Sequence, residues 1–357
     1  MMSSAETFFI TGFPGFIASR LVQRLAVADA RFILLVQPDF LERARQEIVS
    51  IARATNTRPE NFRLVAGDIT QPALGMTPAD SEIARRETTA VFHLAAIYDL
   101  AVARDLAMRV NLEGTRNVNS FVRSIANLGR YHYVSTCYVA GLRQGLIRES
   151  ELRHDAGFRN NYEETKYLAE LEVEALKSEL PVTIHRPAVV CGDSQTGETA
   201  KYDGIYYLIQ YLRIWPAGLT LVNIGNRNVS LNLVPIDFVI NAMVALAEDE
   251  RAVGATVQLA DPAPLATHEL FDEIAQQLSG RASLVTLPAA TVRPALMLPF
   301  SEKLSGLPHA AVPYFFLEQT YDTTLAKDLL DPHHIHCPRF SDYVKNLIAF
   351  VEQYPAL

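Results

Sequence analysis

The sequence predicts an α/β protein, a doubly wound parallel sheet with a smaller, mainly helical C-terminal domain. Short runs of β-branched and aromatic residues recur up to about residue 190, separated by stretches whose apolar residues fall at helical spacing. A glycine-containing turn joins the first run to the first helical stretch. Beyond residue 194 the alternation stops, and tyrosine, proline and apolar bursts replace it. Strand–helix alternation means a parallel sheet covered on both faces, with ligands expected at the carboxyl ends of the strands.

Composition bounds the rest. At 357 residues the chain makes one large or two modest domains, and 49% apolar against 20% charged residues supplies ample core. Basic residues number 32 and acidic residues 40, and a net charge of −8 argues against nucleic acid as the main partner. Cys137, Cys191 and Cys337 lie far apart, make no disulfide framework and suit a reducing compartment. The start, MMSSAETFFITGFPGF, has neither the basic region nor the apolar stretch of a signal peptide. No run approaches the roughly 18 apolar residues of a membrane span. A cytoplasmic protein without a transmembrane segment is expected.

The elements follow in order. Thr7 to Ile10 reads as a buried strand running into TGFPGFIA (Thr11 to Ala18), and Ile17, Leu21, Val22 and Leu25 form the apolar face of a helix. Gly12 permits a tight turn, and Gly15 lets backbone N–H groups approach a pyrophosphate at the helix N-terminus. Ala18 stands where a third glycine is usual and is small enough for close helix–strand packing. Further strands are expected at Arg31 to Pro38, Phe62 to Thr70, Ala90 to Ala96, Arg130 to Thr136 and Val182 to Val190. The fifth strand ends in Ser135 and Thr136, and a helix beginning near Asn161 carries YEETK. Tyr162 and Lys166 sit one helical turn apart on the same face. An ammonium beside a phenol lowers its pKa, so Tyr162 would exchange a proton near neutral pH while Thr136 holds a substrate oxygen.

In this order, TGFPGFIA, AGDIT, VFHLAA, NLEGTRNV, YVSTCYVAG, YEETK and HRPAVV resemble the extended, single-chain type of the short-chain dehydrogenase/reductase superfamily. The resemblance covers residues 6 to about 193, and Val234 to Ala247 fits the family's return segment. It implies a Rossmann-like domain, a nicotinamide cofactor and a Ser/Thr–Tyr–Lys centre. By that resemblance Gly12, Phe13, Pro14, Gly15, Phe16 and Ile17 cradle the cofactor pyrophosphate, and Asp68 and Ile69 border the adenine. Leu94, Ala95 and Ala96 line the path to the nicotinamide, and Pro187, Val189 and Val190 back it. Thr136, Tyr162 and Lys166 take the catalytic positions, with Lys166 shared between ribose and tyrosine, and Asn111 resembles the family's helix-kinking asparagine. Ser135 points to the opposite strand face. The helices at roughly 101–127 and 162–178 would build a homodimer around a four-helix core.

GDSQTGE (Gly192 to Glu198) and RLVAGDITQPALGM (Arg63 to Met76) resemble the branch that reduces acyl thioesters, fatty acyl-CoA reductases and the terminal domains of carboxylic acid reductases. That branch usually ends its second strand in arginine, where this chain has Gln37. A neutral Gln37 does not repel a 2′-phosphate and Arg43 or Arg45 could reach one, which favours NADP(H) over NAD(H), while Asp39 cuts the other way. The domains expected are 1–193 plus about 234–262 for the dinucleotide, and about 194–233 plus 263–357 for a small, lipophilic substrate. The stretch from Thr199 to Val222, with Trp215, and that from Pro288 to Gln319 read as a pocket wall, a lid or subdomain core. His333, His334, His336 and Cys337 adjoin on a proline-bounded loop that does not converge on an ion, so no metal is expected. His93 and His185 lie in expected strands as core or pocket lining. The expected activity is hydride transfer to or from a carbonyl or alcohol of a bulky lipophilic ketone, aldehyde or acyl thioester. The alternatives are a sugar-nucleotide epimerase or dehydratase, against which the few basic residues after 194 speak, and a non-catalytic dinucleotide sensor, against which the paired Tyr162 and Lys166 speak.

Overall fold

The computed structural model describes residues 6–214, 222–299, 301–302 and 306–355. Its strands are β1 (Thr7–Thr11), β2 (Arg31–Val36), β3 (Phe62–Ala66), β4 (Ala90–His93), β5 (Arg130–Val134), β6 (Gly145–Ile147) and β7 (Val182–Pro187). They continue with β8 (Val189–Cys191), β9 (Val222–Asn223), β10 (Leu233–Pro235), β11 (Thr256–Leu259), β12 (Val285–Thr286) and β13 (Gln319–Tyr321). Seven of them form a wholly parallel sheet in the order β11-β7-β5-β4-β1-β2-β3. β1, β4, β5, β7 and β11 are buried along their whole length, as strands covered on both faces must be.

One face packs Phe8, Ile10, Phe32, Leu34 and Phe92 against the helices Phe16–Leu25, Leu41–Thr55, Ile236–Glu248 and Thr324–Leu330. The other packs Phe9, Ile33, Leu35, Val91, Tyr131 and Tyr133 against Pro78–Glu87, Gly114–Arg123 and Asn161–Glu174. The chain winds outward from β1 to β3 and then returns to β4 on the far side of β1, so strand order reverses between β1 and β4. A separate core of Tyr206, Ile209, Phe271, Ile274, Tyr343 and Leu347 joins the helices Ile205–Ile214, Thr267–Ser279 and Phe340–Gln353.

The strands end earlier than the apolar pattern implies. β3, β4 and β5 stop at Ala66, His93 and Val134, and the residues beyond leave the ladder. The expected strand 182–190 divides at Ala188, and Val189–Cys191 pairs with β10 instead of the sheet. Apolar residues that face a ligand cleft read in sequence like apolar residues that face a core.

Two smaller parallel pairs, β9 with β12 and β6 with β13, bind later segments to earlier ones. Just past β6 the buried carboxylate of Glu149 accepts N–H groups from Gln258 at 2.9 Å, Leu325 at 2.7 Å and Ala326 at 3.1 Å. The last two are orphan donors of the helix Thr324–Leu330. Burial pushes the Glu149 carboxyl up to about 7 even with these donors opposing it.

The exposed seam between the helices expected to form a dimer carries ion pairs. Arg104 meets Glu164 at 2.8 Å, Arg116 meets Glu172 at 2.6 Å and Arg123 meets Glu179 at 3.1 Å. His333 faces Asp249 at 3.8 Å and His336 faces Asp331 at 3.4 Å, and among the described residues no three metal-binding side chains converge. Within the same residues no helix is long and apolar enough to cross a membrane. Trp215, with the rest of 215–221, Phe300 and residues 303–305 of the supposed walls lie outside the described residues.

Candidate active site

A cleft of about 940 Å³ opens where the strand order reverses. Its floor is the turn after β1. Gly12 has φ +92°, and a Cβ there would stand 2.9 Å from the Ala95 nitrogen, so backbone meets backbone at a position only glycine fits. A Cβ on Gly15 would stand 2.7 Å from the Gly12 oxygen. Gly15 is the N-cap of the helix Phe16–Leu25, with no side chain bonded to the free N–H groups and no acidic residue in the first turn. A helix N-terminus left open in this way suits a diphosphate.

Gly12, Phe13, Pro14, Gly15, Phe16 and Ile17 all line the cleft, as do Gln37, Arg43, Asp68 and Ile69 at one end. Leu94, Ala95 and Ala96 lie along it, and Thr136, Tyr162, Lys166, Pro187, Val189 and Val190 surround the other end. This set fits a nicotinamide dinucleotide: an uncapped helix start, a glycine floor without Cβ atoms and a polar trio at the far end. Phe40 lines the cleft with Gln37 and Arg43, whereas Asp39, in the turn Pro38–Phe40, does not.

Asn111 is not part of the lining. It lies in a π-helical turn, Met108–Glu113, where its side-chain oxygen accepts the Ile97 N–H at 2.8 Å. Its Nδ2 donates to Thr165 Oγ1 at 3.0 Å and to the Ile97 carbonyl at 3.3 Å. The amide ties the loop after β4 to the helix Asn161–Glu174, and it does so from the irregular turn of its own helix.

The trio itself is buried. Asn160 caps the helix Asn161–Glu174 by accepting the Glu163 N–H at 3.0 Å, which sets Tyr162 in the first turn. Thr136, N-cap of the turn Cys137–Ala140, shares a hydrogen bond with the Tyr162 hydroxyl. Burial raises the Tyr162 pKa above that of an ordinary phenol, and the Thr136 hydrogen bond opposes this only in part. Lys166 does not lower it. The lysine Nζ donates instead to Tyr133 Oη at 2.8 Å and to the Val134 carbonyl at 2.7 Å, and burial brings its own pKa down to about 7. Proximity in sequence suggested an ammonium acting on the phenol; in the fold the strand end captures that ammonium.

Ser135 turns away and donates to Glu170, which also holds Arg186 through Nε at 2.9 Å. His93 is fully buried between Thr11 Oγ1 at 2.8 Å and Thr115 Oγ1 at 3.1 Å, with its pKa driven down to about 3 by burial and the nearby Lys166 ammonium. His185 is equally buried, 3.1 Å from His132.

Sequence reasoning missed a second cavity of about 230 Å³ that shares Tyr98, Tyr138, Val189, Lys201 and Asp203 with the cleft. Tyr207, Tyr314, Phe315, Leu231, Pro308 and Ala311 complete much of its wall. Tyr98 sets its ring edge-on to Tyr162 at 5.2 Å, and Lys201 pairs with Asp203 at 2.9 Å at the junction. The tyrosine density after residue 194 was the available signal.

Residues 10–243 match the family model for male sterility protein. The chain belongs to this family. All the cleft residues named above lie within the match, whereas Pro308 to Phe315 of the second cavity fall outside it. Among curated relatives of this male sterility protein family member, a glycine betaine reductase of Emericella nidulans is 26% identical, over 76% of this chain and 22% of its own length. A fatty acyl-CoA reductase of Drosophila melanogaster is 24% identical, over 68% of this chain and 54% of its own. The chain therefore spans a fifth to about half of these relatives. The terminal R domain from the myxalamid PKS-NRPS pathway superposes with TM-score 0.83 at 23% identity, covering 100% of this chain and 93% of that one. A UDP-glucuronic acid 4-epimerase from Bacillus cereus in complex with NAD superposes with TM-score 0.67 at 20% identity, over 98% and 97%. Both likenesses bear out the Rossmann-like fold, a parallel seven-stranded sheet with flanking helices.

Proposed function

We propose that the chain is an NADP(H)-dependent reductase of apolar acyl thioesters or aldehydes, with Thr136, Tyr162 and Lys166 as its polar centre. The observation that carries this reading is the buried, protonated Tyr162, hydrogen-bonded to Thr136 and in edge-on contact with Tyr98 of the aromatic cavity. A phenol that stays protonated at neutral pH has a proton to give, which is what reduction asks for, where a carbonyl oxygen gains negative charge and then a proton. Thr136 and Tyr162 would hold that oxygen, and Lys166 would contact the ribose side of the cofactor. A bound nicotinamide supplies the hydride chemistry. The protein's part is to orient the carbonyl, hold its oxygen and deliver the proton.

Four tyrosines and a phenylalanine around the second cavity favour an apolar acyl group over a sugar diphosphate. The relatives' names, glycine betaine reductase and fatty acyl-CoA reductase, support a reductase of carboxylic-acid derivatives. The segments 194–233 and 263–357 form the substrate side in this reading, and 1–193 with about 234–262 the dinucleotide side. Arg43, beside a neutral Gln37 and with no ion-pair partner among the described residues, favours NADP(H). The test is NADPH and NADH oxidation with octanoyl-CoA, palmitoyl-CoA, decanal, benzaldehyde and UDP-glucose. Turnover of an acyl-CoA or aldehyde, faster with NADPH, is the expected result; turnover of UDP-glucose alone would overturn the reading.

A further inference from the structure

We infer that Tyr133, outside the Thr136–Tyr162–Lys166 centre, is the positioning residue for Lys166 and the middle link of a closed buried network running from β1 to the helix Asn161–Glu174. The inference rests on the reading of Lys166 as part of the reductase centre.

An ammonium has three N–H donors. Lys166 gives one to Tyr133 Oη at 2.8 Å and one to the Val134 carbonyl at 2.7 Å, and so keeps one for the cleft it lines. Tyr133 is fully buried, and its hydroxyl also bonds Thr115. The donors can be assigned one by one. The single hydroxyl proton of Thr115 goes to the Asn111 carbonyl at 2.6 Å, so Thr115 Oγ1 accepts from Tyr133 and from His93 Nε2 at 3.1 Å. His93 Nδ1 then accepts the Thr11 hydroxyl at 2.8 Å. Thr11 Oγ1 in turn accepts the N–H groups of Leu94 at 3.2 Å and Ala95 at 3.1 Å.

Away from Lys166, every branch of this network ends on backbone groups, the carbonyls of Asn111 and Val134 and the amides of Leu94 and Ala95. Nothing behind Lys166 offers an entry for a proton, so the network holds the lysine and does not resupply it. Ala95 is also the residue whose nitrogen Gly12 approaches. The same network therefore fixes the cleft floor and the lysine relative to one another. Fully satisfied buried networks of this kind specify a single geometry.

The charged and titratable groups facing Lys166 are few. Glu170, one turn further on its helix, favours the ammonium, and Arg186 from β7 holds Glu170. His93 from β4 is kept neutral, and burial keeps Tyr133 on β5 and Tyr162 on the same helix protonated. Removing the Tyr133 oxygen takes an acceptor from the ammonium and moves the Lys166 titration to lower pH.

Tyr131 provides the comparison. It is equally buried, two residues back on the same strand face, but its hydroxyl donates to Asn119 Oδ1 at 2.8 Å. The full chain would be examined as wild type, Tyr133→Phe and Tyr131→Phe. The readouts are thermal unfolding of the ligand-free protein across pH and NADPH affinity by fluorescence. In Tyr133→Phe the pH at which stability begins to rise should fall by about one unit, and NADPH binding should weaken about three- to tenfold. Tyr131→Phe should keep the wild-type pH curve shape and affinity. Identical pH curves and affinities in the two variants would overturn the inference. If Tyr133→Phe does not fold, Thr115→Val frees the phenol to donate to the neutral amine and should shift the curve the same way; no shift there would equally overturn it. Neither readout needs a carbonyl substrate, so a failure of the reductase reading shows separately, as absent turnover.

Discussion

Tyr162 and Lys166 are both buried among apolar side chains, yet burial acts on them in opposite senses. It raises the phenol and lowers the ammonium, since in each case it disfavours the charged form. Tyr162→Phe keeps the ring and the packing but removes the donor, so turnover should drop about 10²-fold or more. NADPH affinity, read by fluorescence titration, should stay near wild type. Lys166 sets a pH dependence of stability. Its folded pKa of about 7 lies below the ordinary 10.5, so between those values the unfolded chain binds more protons and stability rises with pH. The contribution is present above 10.5 and is lost as pH falls through 7. Lys166→Met should flatten that rise, which unfolding curves at pH 6 to 10 would show.

The helix Asn161–Glu174 is placed by more than its apolar side. Glu170, fully buried, accepts from Ser135 on the β5 exit and from Arg186 at the end of β7. Two strands thus anchor one helix through one carboxylate. Arg186→Met leaves that carboxylate uncompensated and should destabilise the protein by about 3–5 kcal/mol in urea unfolding. At the turn after β1, Gly12→Ala would push a methyl into the Leu94–Ala95 backbone, and NADPH binding should be lost while the variant remains folded by circular dichroism. These elements differ in how far the sequence revealed them. The turn and the Tyr162–Lys166 pair are local patterns, with spacing that has meaning within one helix or one turn. The apolar pattern overruns the strand ends because LAA (Leu94 to Ala96) and PAVV (Pro187 to Val190) keep the apolar character of a strand while lining a cleft. Asn111, Tyr133 and the ring of tyrosines depend on contacts across fourteen or more positions, which no local pattern encodes.

At the scale of the whole molecule, the Arg104–Glu164, Arg116–Glu172 and Arg123–Glu179 pairs bear on assembly. A homodimer through those helices would have to strip water from exposed charges already paired within one chain, at a desolvation cost that such pairs rarely recover. The chain is accordingly expected to sediment as a monomer at micromolar concentration, and a concentration-independent dimer would overturn this. Glu149 carries a different consequence, for the order in which the protein is made. Its partners Gln258, Leu325 and Ala326 are synthesised more than a hundred residues after it. Until they emerge from the ribosome, the carboxylate has only water to accept from, and burying it without them would be costly. The edge of the sheet near β6 and β11 therefore stays open during translation, although β1 to β5 are already complete. A nascent chain halted before Leu325 should be cut by protease near Glu149, and one released past Ala326 should resist. A helix made late in translation, Thr324–Leu330, thus closes a site at Glu149 that was made early.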